Sequence, residues 1–170
     1  MKRFSDFIKT NLNESLTVYR GIPVAGKDKD RMITWVSTSK EHATMYANGT
    51  GGTGEVLVYK ISKRLVPIDL HFRAAETFVT YEDIRGRIND AILERFENKQ
   101  LTEDQTVKLL DNLRELKLSG THPVHEWMHN QKIVEVIKKA GFNCIVQNEG
   151  MKAHAGNIVT YGILDKSLLS

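Results

Sequence analysis

The sequence predicts an α+β domain. Short runs rich in Val, Ile and Tyr, bounded by Gly, Pro or polar clusters, recur at 16–22, 55–61, 142–146 and 158–164. Between the second and third of these, residues 83–139 carry apolar residues at helical spacing. Several short strands around a helical insertion fit α+β better than a regular strand–helix alternation. The 170 residues contain no repeat, low-complexity tract or linker, so one domain is the economical reading.

Residues 1–14 read as an amphipathic helix, with Phe4, Phe7, Ile8 and Leu12 on one face and Lys2, Arg3, Asp6 and Lys9 off it. Residues 16–22, Leu-Thr-Val-Tyr-Arg-Gly-Ile, form a strand that Gly21-Ile22-Pro23 stops. A polar loop over 23–31 leads to a short strand over 32–36, and Ser39 is placed to cap a helix running to Ala47. The glycine-rich loop over 48–54 contains Gly49-x-Gly51-x-x-Gly54. A dinucleotide fingerprint must follow a strand and open a helix, whereas here a helix precedes and a strand follows, so the pattern is discarded. Both faces of 55–61 are largely apolar, which predicts a strand covered on both sides. Pro67 places a strand over 65–70 at a sheet edge.

Residues 83–98 read as a helix with Ile84, Ile88, Ile92 and Phe96 on its apolar stripe. Thr102-Glu103-Asp104-Gln105 fits a capping box for a helix reaching Leu118, with Leu109, Leu110, Leu113 and Leu116 on its buried side and Ser119-Gly120 as its stop. Pro123 suits the first turn of a further helix that runs to residue 139 or 140 and is closed by Gly141. A strand over 142–146, a polar loop over 147–156 and a last strand over 158–164 complete the chain.

Hydrophobic content of 41%, charged content of 26% and a net charge of +3 describe an ordinary soluble chain with no basic run that favours nucleic acid. The one cysteine, Cys144, allows no internal disulfide and fits a reducing compartment; on a core strand it reads as packing. No apolar run approaches the roughly 20 residues that span a bilayer, and no secretory signal is read at the N-terminus. Gly26-Lys27-Asp28 lacks the hydroxyl residue of a phosphate-binding loop, and no nucleophile elbow is present.

Three segments carry candidate chemistry. Arg20 stands near the end of a core strand, where its planar fork suits phosphate oxygens, although a strand-end arginine is more often a solvated charge. Ser37-Thr38-Ser39 follows the second strand, where a helix cap explains it equally well. Gln147 and Glu149 are two residues apart in a late loop, which in an extended chain puts both side chains on one face.

In that order, Tyr19-Arg20-Gly21, Ser37-Thr38-Ser39 with Ala43, Tyr46 and Ala47 after it, and Gln147-Asn148-Glu149 resemble the ADP-ribosyltransferases of the arginine–serine–glutamate class. The resemblance implies a split, mainly antiparallel sheet. It implies NAD as a substrate, a donor of ADP-ribose rather than a hydride carrier, with no metal. Arg20 would grip the pyrophosphate and ribose, Ser37 would orient the nicotinamide ribose and the glutamate, and Glu149 would face the positive charge that builds as the nicotinamide bond breaks. Gln147 would hold the acceptor. Tyr19, Gly21, Thr38, Ser39 and Tyr46 would complete the NAD site, the tyrosines by stacking, although Tyr46 reads more readily as a core residue. Residues 83–118 have no counterpart in the family.

The opening Met-Lys-Arg-Phe-Ser-Asp-Phe-Ile resembles the capsid-targeting leader of internal head proteins of large contractile-tailed phages, and Leu12-Asn13-Glu14 is similar to the site cut by their prohead protease. That likeness implies cleavage after Glu14, a domain over 15–170, residence in the capsid interior and then the host cytoplasm, and a host protein target. A catalytically silent domain that blocks a host defence factor is the alternative.

A third reading is metal. His125-Glu126-Trp127-Met128-His129 matches His-Glu-x-x-His, in which one helical turn sets two zinc ligands side by side. Trp127 as a core anchor explains the same helix without zinc, and no clear third ligand follows, Glu149 and His154 being the downstream candidates. His42, His71 and His122 read as solvated.

Overall fold

The computed structural model of the chain describes residues 15–24, 32–49, 51–72, 78–148 and 159–170. The expected N-terminal helix and leader, most of the 23–31 loop, Glu149 and His154 lie outside the described residues.

The chain is α+β, with a mainly antiparallel sheet and five helices among the described residues. The strands are β1 (Leu16–Ile22), β2 (Thr34–Ser37), β3 (Glu55–Ile61), β4 (Pro67–Asp69), β5 (Val79–Thr80), β6 (Thr121–His122), β7 (Cys144–Asn148) and β8 (Val159–Ile163). The helices are α1 (Lys40–Asn48), α2 (Tyr81–Glu97), α3 (Glu103–Glu115), α4 (Val124–Trp127) and α5 (Gln131–Lys139). Six strands form one sheet in the order β3-β1-β2-β8-β7-β4; every neighbouring pair is antiparallel except β7 with β4. β5 and β6 pair as a separate two-stranded ribbon.

The sheet has a weak joint. β1 pairs with β3 along its whole length, from Leu16 with Ile61 to Ile22 with Glu55. With β2 it shares one register pair, Tyr19 with Ser37. A two-stranded ribbon, β3-β1, and a four-stranded sheet, β2-β8-β7-β4, therefore share a single register pair among the described residues.

Two apolar clusters flank the sheet. The larger gathers Ile33, Ile68, Leu70 and Ile145 with the helical residues Ile84, Ile88, Ile92, Leu109, Leu113, Ile133 and Ile137. The smaller collects Val18, Val36, Ile61, Cys144, Val146, Tyr161, Ile163 and Leu168 on the opposite face. Strand alternation explains the split, because Val36, Tyr161 and Val146 are register partners of one another and point the same way. Helix α1 lies on β1 so closely that a Cβ on Gly21 would meet the Ala43 carbonyl oxygen at 2.0 Å. Only glycine admits that approach.

The helices start where their caps dictate. The Ser39 hydroxyl accepts from the His42 N–H and opens α1, and Thr102 with Gln105 forms the expected capping box of α3. Thr80 and Asp83 form a second capping box that starts α2 at Tyr81, two residues earlier than the periodicity suggests. Ile84, Ile88 and Ile92 are fully buried, but Phe96, expected on the same stripe, is 39% exposed in the last turn of α2.

Other expectations are corrected. Strand β3 is not covered on both sides: it is the edge of the sheet, and Val58 is 56% exposed. Helix α3 stops at Glu115 and Leu116 is extended (ψ 103°). The single helix expected from Pro123 to 139 or 140 is two helices, because the chain breaks at 128–130 and the Asn130 side chain accepts from the N–H groups of Lys132 and Ile133 to open α5. Pro123 precedes α4 as its cap rather than sitting in its first turn. The strand expected at 142–146 is shifted to Cys144–Asn148; Asn143 stands just before it, where its side chain accepts from the Val66 N–H at 2.7 Å and donates to the Arg64 carbonyl at 3.1 Å.

Candidate functional site

The joint between ribbon and sheet carries a polar row. Tyr19 on β1 pairs with Ser37 on β2, Ser37 with Thr160 on β8, and Thr160 with Gln147 on β7. Residues directly opposite on neighbouring strands share a face, with Cβ atoms roughly 4.5–5.5 Å apart. Ser37, Thr160 and Gln147 are 4%, 4% and 6% exposed, and Tyr19 is half-buried.

Ser37 ends β2, and its hydroxyl accepts the Ser39 N–H at 3.1 Å. The Ser39 hydroxyl in turn accepts the His42 N–H at 3.1 Å, so Ser37-Thr38-Ser39 is a strand-to-helix turn held by two side-chain caps. Thr38 is exposed, and its N–H donates to the Val159 carbonyl at 3.3 Å, which fastens the turn to the start of β8. His42 is 9% exposed, which corrects the expectation that it is solvated. Tyr46, expected to stack on a ligand or fill the core, is 58% exposed on α1. Gly21 has a packing duty, the approach of α1, whatever else it does.

Arg20 follows Tyr19 on β1 and pairs with Leu57 on β3. Alternation directs it to the face of Val18 and Val36, opposite the one that carries Tyr19, Ser37, Thr160 and Gln147. The described residues thus bring together Tyr19, Ser37 and Gln147 of the expected site, and set Arg20 on the other side of the same strand. Gln147 does not lie in a loop as expected; it belongs to β7 and is buried.

Thr160 is the residue that sequence reasoning missed. Its hydroxyl oxygen is sealed from solvent and has no hydrogen-bond partner among the described residues. Only the register of β8 against β2 and β7 marks it out, and register is not readable from one strand at a time. On the opposite face, burial pushes the Tyr161 hydroxyl up to about 12, with the neighbouring Cys144 adding to the shift, and burial raises the Cys144 thiol as well. Cys144 is fully buried, as a packing residue is.

The histidine motif does not sit on one helix. Helix α4 ends at Trp127, so His129 lies beyond it in the turn before α5. His125 and His129 are exposed, and Glu126 is taken by His122, whose Nδ1 lies 3.1 Å from its carboxylate. Among the described residues no group of three or more His, Cys, Asp or Glu side chains is arranged to hold a metal ion. Trp127 is the core anchor, with its indole N–H donating to the Val79 carbonyl at 2.8 Å and its ring 5.0 Å from that of His122. His122 is exposed, as expected, but it is paired with Glu126; His71 departs from the expectation, because its Nδ1 is buried.

Among the described residues, three surface concavities lie away from the polar row. One of about 530 Å³ is lined by Lys117, Ser119, His122, Glu126 and His129; one of about 550 Å³ lies along the outer side of α1; one of about 450 Å³ lies at the turn between α2 and α3. No helix among the described residues is long and apolar enough to cross a membrane. Neither protein-family models, nor curated proteins, nor solved structures gave a match to this chain.

Proposed function

We propose that the chain is a mono-ADP-ribosyltransferase that moves ADP-ribose from NAD to a host macromolecule during phage infection. One observation carries the reading: Tyr19 of the first motif and Ser37 of the second, 18 residues apart in sequence, are the one register pair among the described residues that joins the two parts of the sheet. The Ser37 row continues to Gln147, the start of the third motif. A buried line of hydroxyl and amide groups suits a ligand rich in ribose hydroxyls and carbonyl groups. Glu149, two residues beyond Gln147, is the acid that this reading assigns to the ribose, and Arg20 is the residue it assigns to the pyrophosphate.

Release of nicotinamide from NAD by the purified chain, with and without host lysate, tests the proposal. Release that depends on Ser37 and Glu149 supports it. Saturable NAD binding without any release, in lysate as well, favours a catalytically silent domain. The position of Arg20 across the strand from the polar row is the observation that speaks for that second reading.

A further inference from the structure

We infer that Thr160 is a ligand-binding residue, its hydroxyl reserved for a hydrogen-bonding group of the dinucleotide; this rests on the NAD reading above. Thr160 is central in the row, with Ser37 on one side and Gln147 on the other. It is 4% exposed, and its Oγ1 is a buried oxygen with no partner among the described residues. The Ser37 hydroxyl, by contrast, is engaged by the Ser39 N–H at 3.1 Å.

A buried hydroxyl left unpaired is costly, and valine has nearly the same shape without that cost. Native folds pair the large majority of such groups, and an exception within a candidate site is accounted for by a water, ion or ligand that completes it. The ligand class follows from the row: a carboxamide or a ribose hydroxyl can both donate and accept, matching a hydroxyl beside a serine and a glutamine. Because solvent does not touch the oxygen, a ligand engages it only when the packing over the row opens.

The test uses the full chain and three variants: Thr160→Val, Thr160→Ser and Ser37→Ala. NAD, ADP-ribose and nicotinamide are each titrated by calorimetry, and melting temperatures are recorded without ligand. The inference predicts that Thr160→Val melts about 2–4 °C higher, as loss of an unpaired buried group implies for a chain of this size. It predicts that the same variant binds NAD about tenfold more weakly, and that Thr160→Ser regains most of the affinity. A loss seen with nicotinamide assigns the carboxamide; a loss seen with ADP-ribose assigns a ribose hydroxyl. Wild-type affinity in Thr160→Val overturns the inference and leaves the NAD reading intact. Failure of the wild-type chain to bind any of the three probes overturns both. Weak binding by Ser37→Ala alongside unchanged Thr160→Val shows that the site exists and Thr160 is not in it.

Discussion

Replacing Gly21 by alanine tests how the candidate site is assembled. The added Cβ would lie 2.0 Å from the Ala43 carbonyl oxygen, 2.9 Å from the Ala47 nitrogen and 3.0 Å from the Ala43 carbonyl carbon. Ordinary contact begins near 3.4 Å, so α1 must withdraw from β1 by roughly 3.4 − 2.0 = 1.4 Å, or the strand must bend by as much. Overfilling a packed contact costs about 1–3 kcal/mol, and here the obstructing atoms are helix backbone, which cannot rotate away. The upper end, about 3 kcal/mol, is therefore expected. For a domain of this size that lowers the melting temperature by about 6–12 °C. Gly86 supplies the control. It lies inside α2 with no atom within 4 Å of an added Cβ, so Gly86→Ala should stabilise by about 0.5–1 kcal/mol. Urea unfolding at constant m-value reads both changes. A Gly21→Ala protein within 0.5 kcal/mol of wild type would refute the close seating of α1 on β1, and with it the fixed placement of the Ser37-Thr38-Ser39 turn.

Three further outcomes follow from the packing and electrostatics. Trp127→Phe should lose about 1–3 kcal/mol in urea unfolding, because the buried Val79 carbonyl loses the indole donor at 2.8 Å. The Asp83 carboxylate is held below its ordinary value of 3.8 by hydrogen bonds from the Thr80 N–H and hydroxyl. Its contribution is complete above the unfolded value and is lost as pH falls through the lower folded value, so Asp83→Ala should flatten the acid limb of a stability–pH curve and leave its shape near neutrality. The Tyr81 hydroxyl, which donates to the Leu113 carbonyl at 2.6 Å, is pushed up to about 12, chiefly by burial. Its contribution is present below pH 10 and is lost as pH rises toward 12; Tyr81→Phe should reduce that alkaline step and leave the part due to Tyr161, and ultraviolet titration should show two late-ionising phenols in the wild type and one in the variant.

The sequence made legible what depends on local spacing. The first strand and the third are legible at their observed bounds, because Val, Tyr and Ile runs stop cleanly at Pro23 and start cleanly after Gly54. Ser39 and Thr102 are legible as caps because their partners lie three residues away. What failed depended on neighbours. Nothing in Glu-Val-Leu-Val-Tyr-Lys-Ile distinguishes an edge strand with two apolar faces from a buried one; the answer lies in sheet order. The break at 128–130 was masked by apolar periodicity continuing through Trp127 and Met128 into Ile133, while Asn130 restarts the helix as a cap. That break also separates His129 from the helix that carries His125, a separation the spacing of the motif conceals.

The candidate site divides in the same way. Tyr19, Ser37 and Gln147 were named from their motifs, and their alignment in one row is a fact of register between strands far apart in sequence. Thr160 belongs to no motif and emerges only from that alignment. The alternation that separates Arg20 from Ser37 could in turn be read only once Tyr19 was known to face Ser37.

The central claim is that the groups gathered around the Tyr19–Ser37 pair serve ADP-ribose transfer. Its most direct measurement is transfer of label from isotopically labelled NAD to a discrete species in host lysate, run with wild type, Ser37→Ala and Glu149→Gln at matched melting temperatures. The account predicts labelling by the wild type and none by either variant. Unlabelled lysate with the wild type, or labelling that both variants retain, would contradict it.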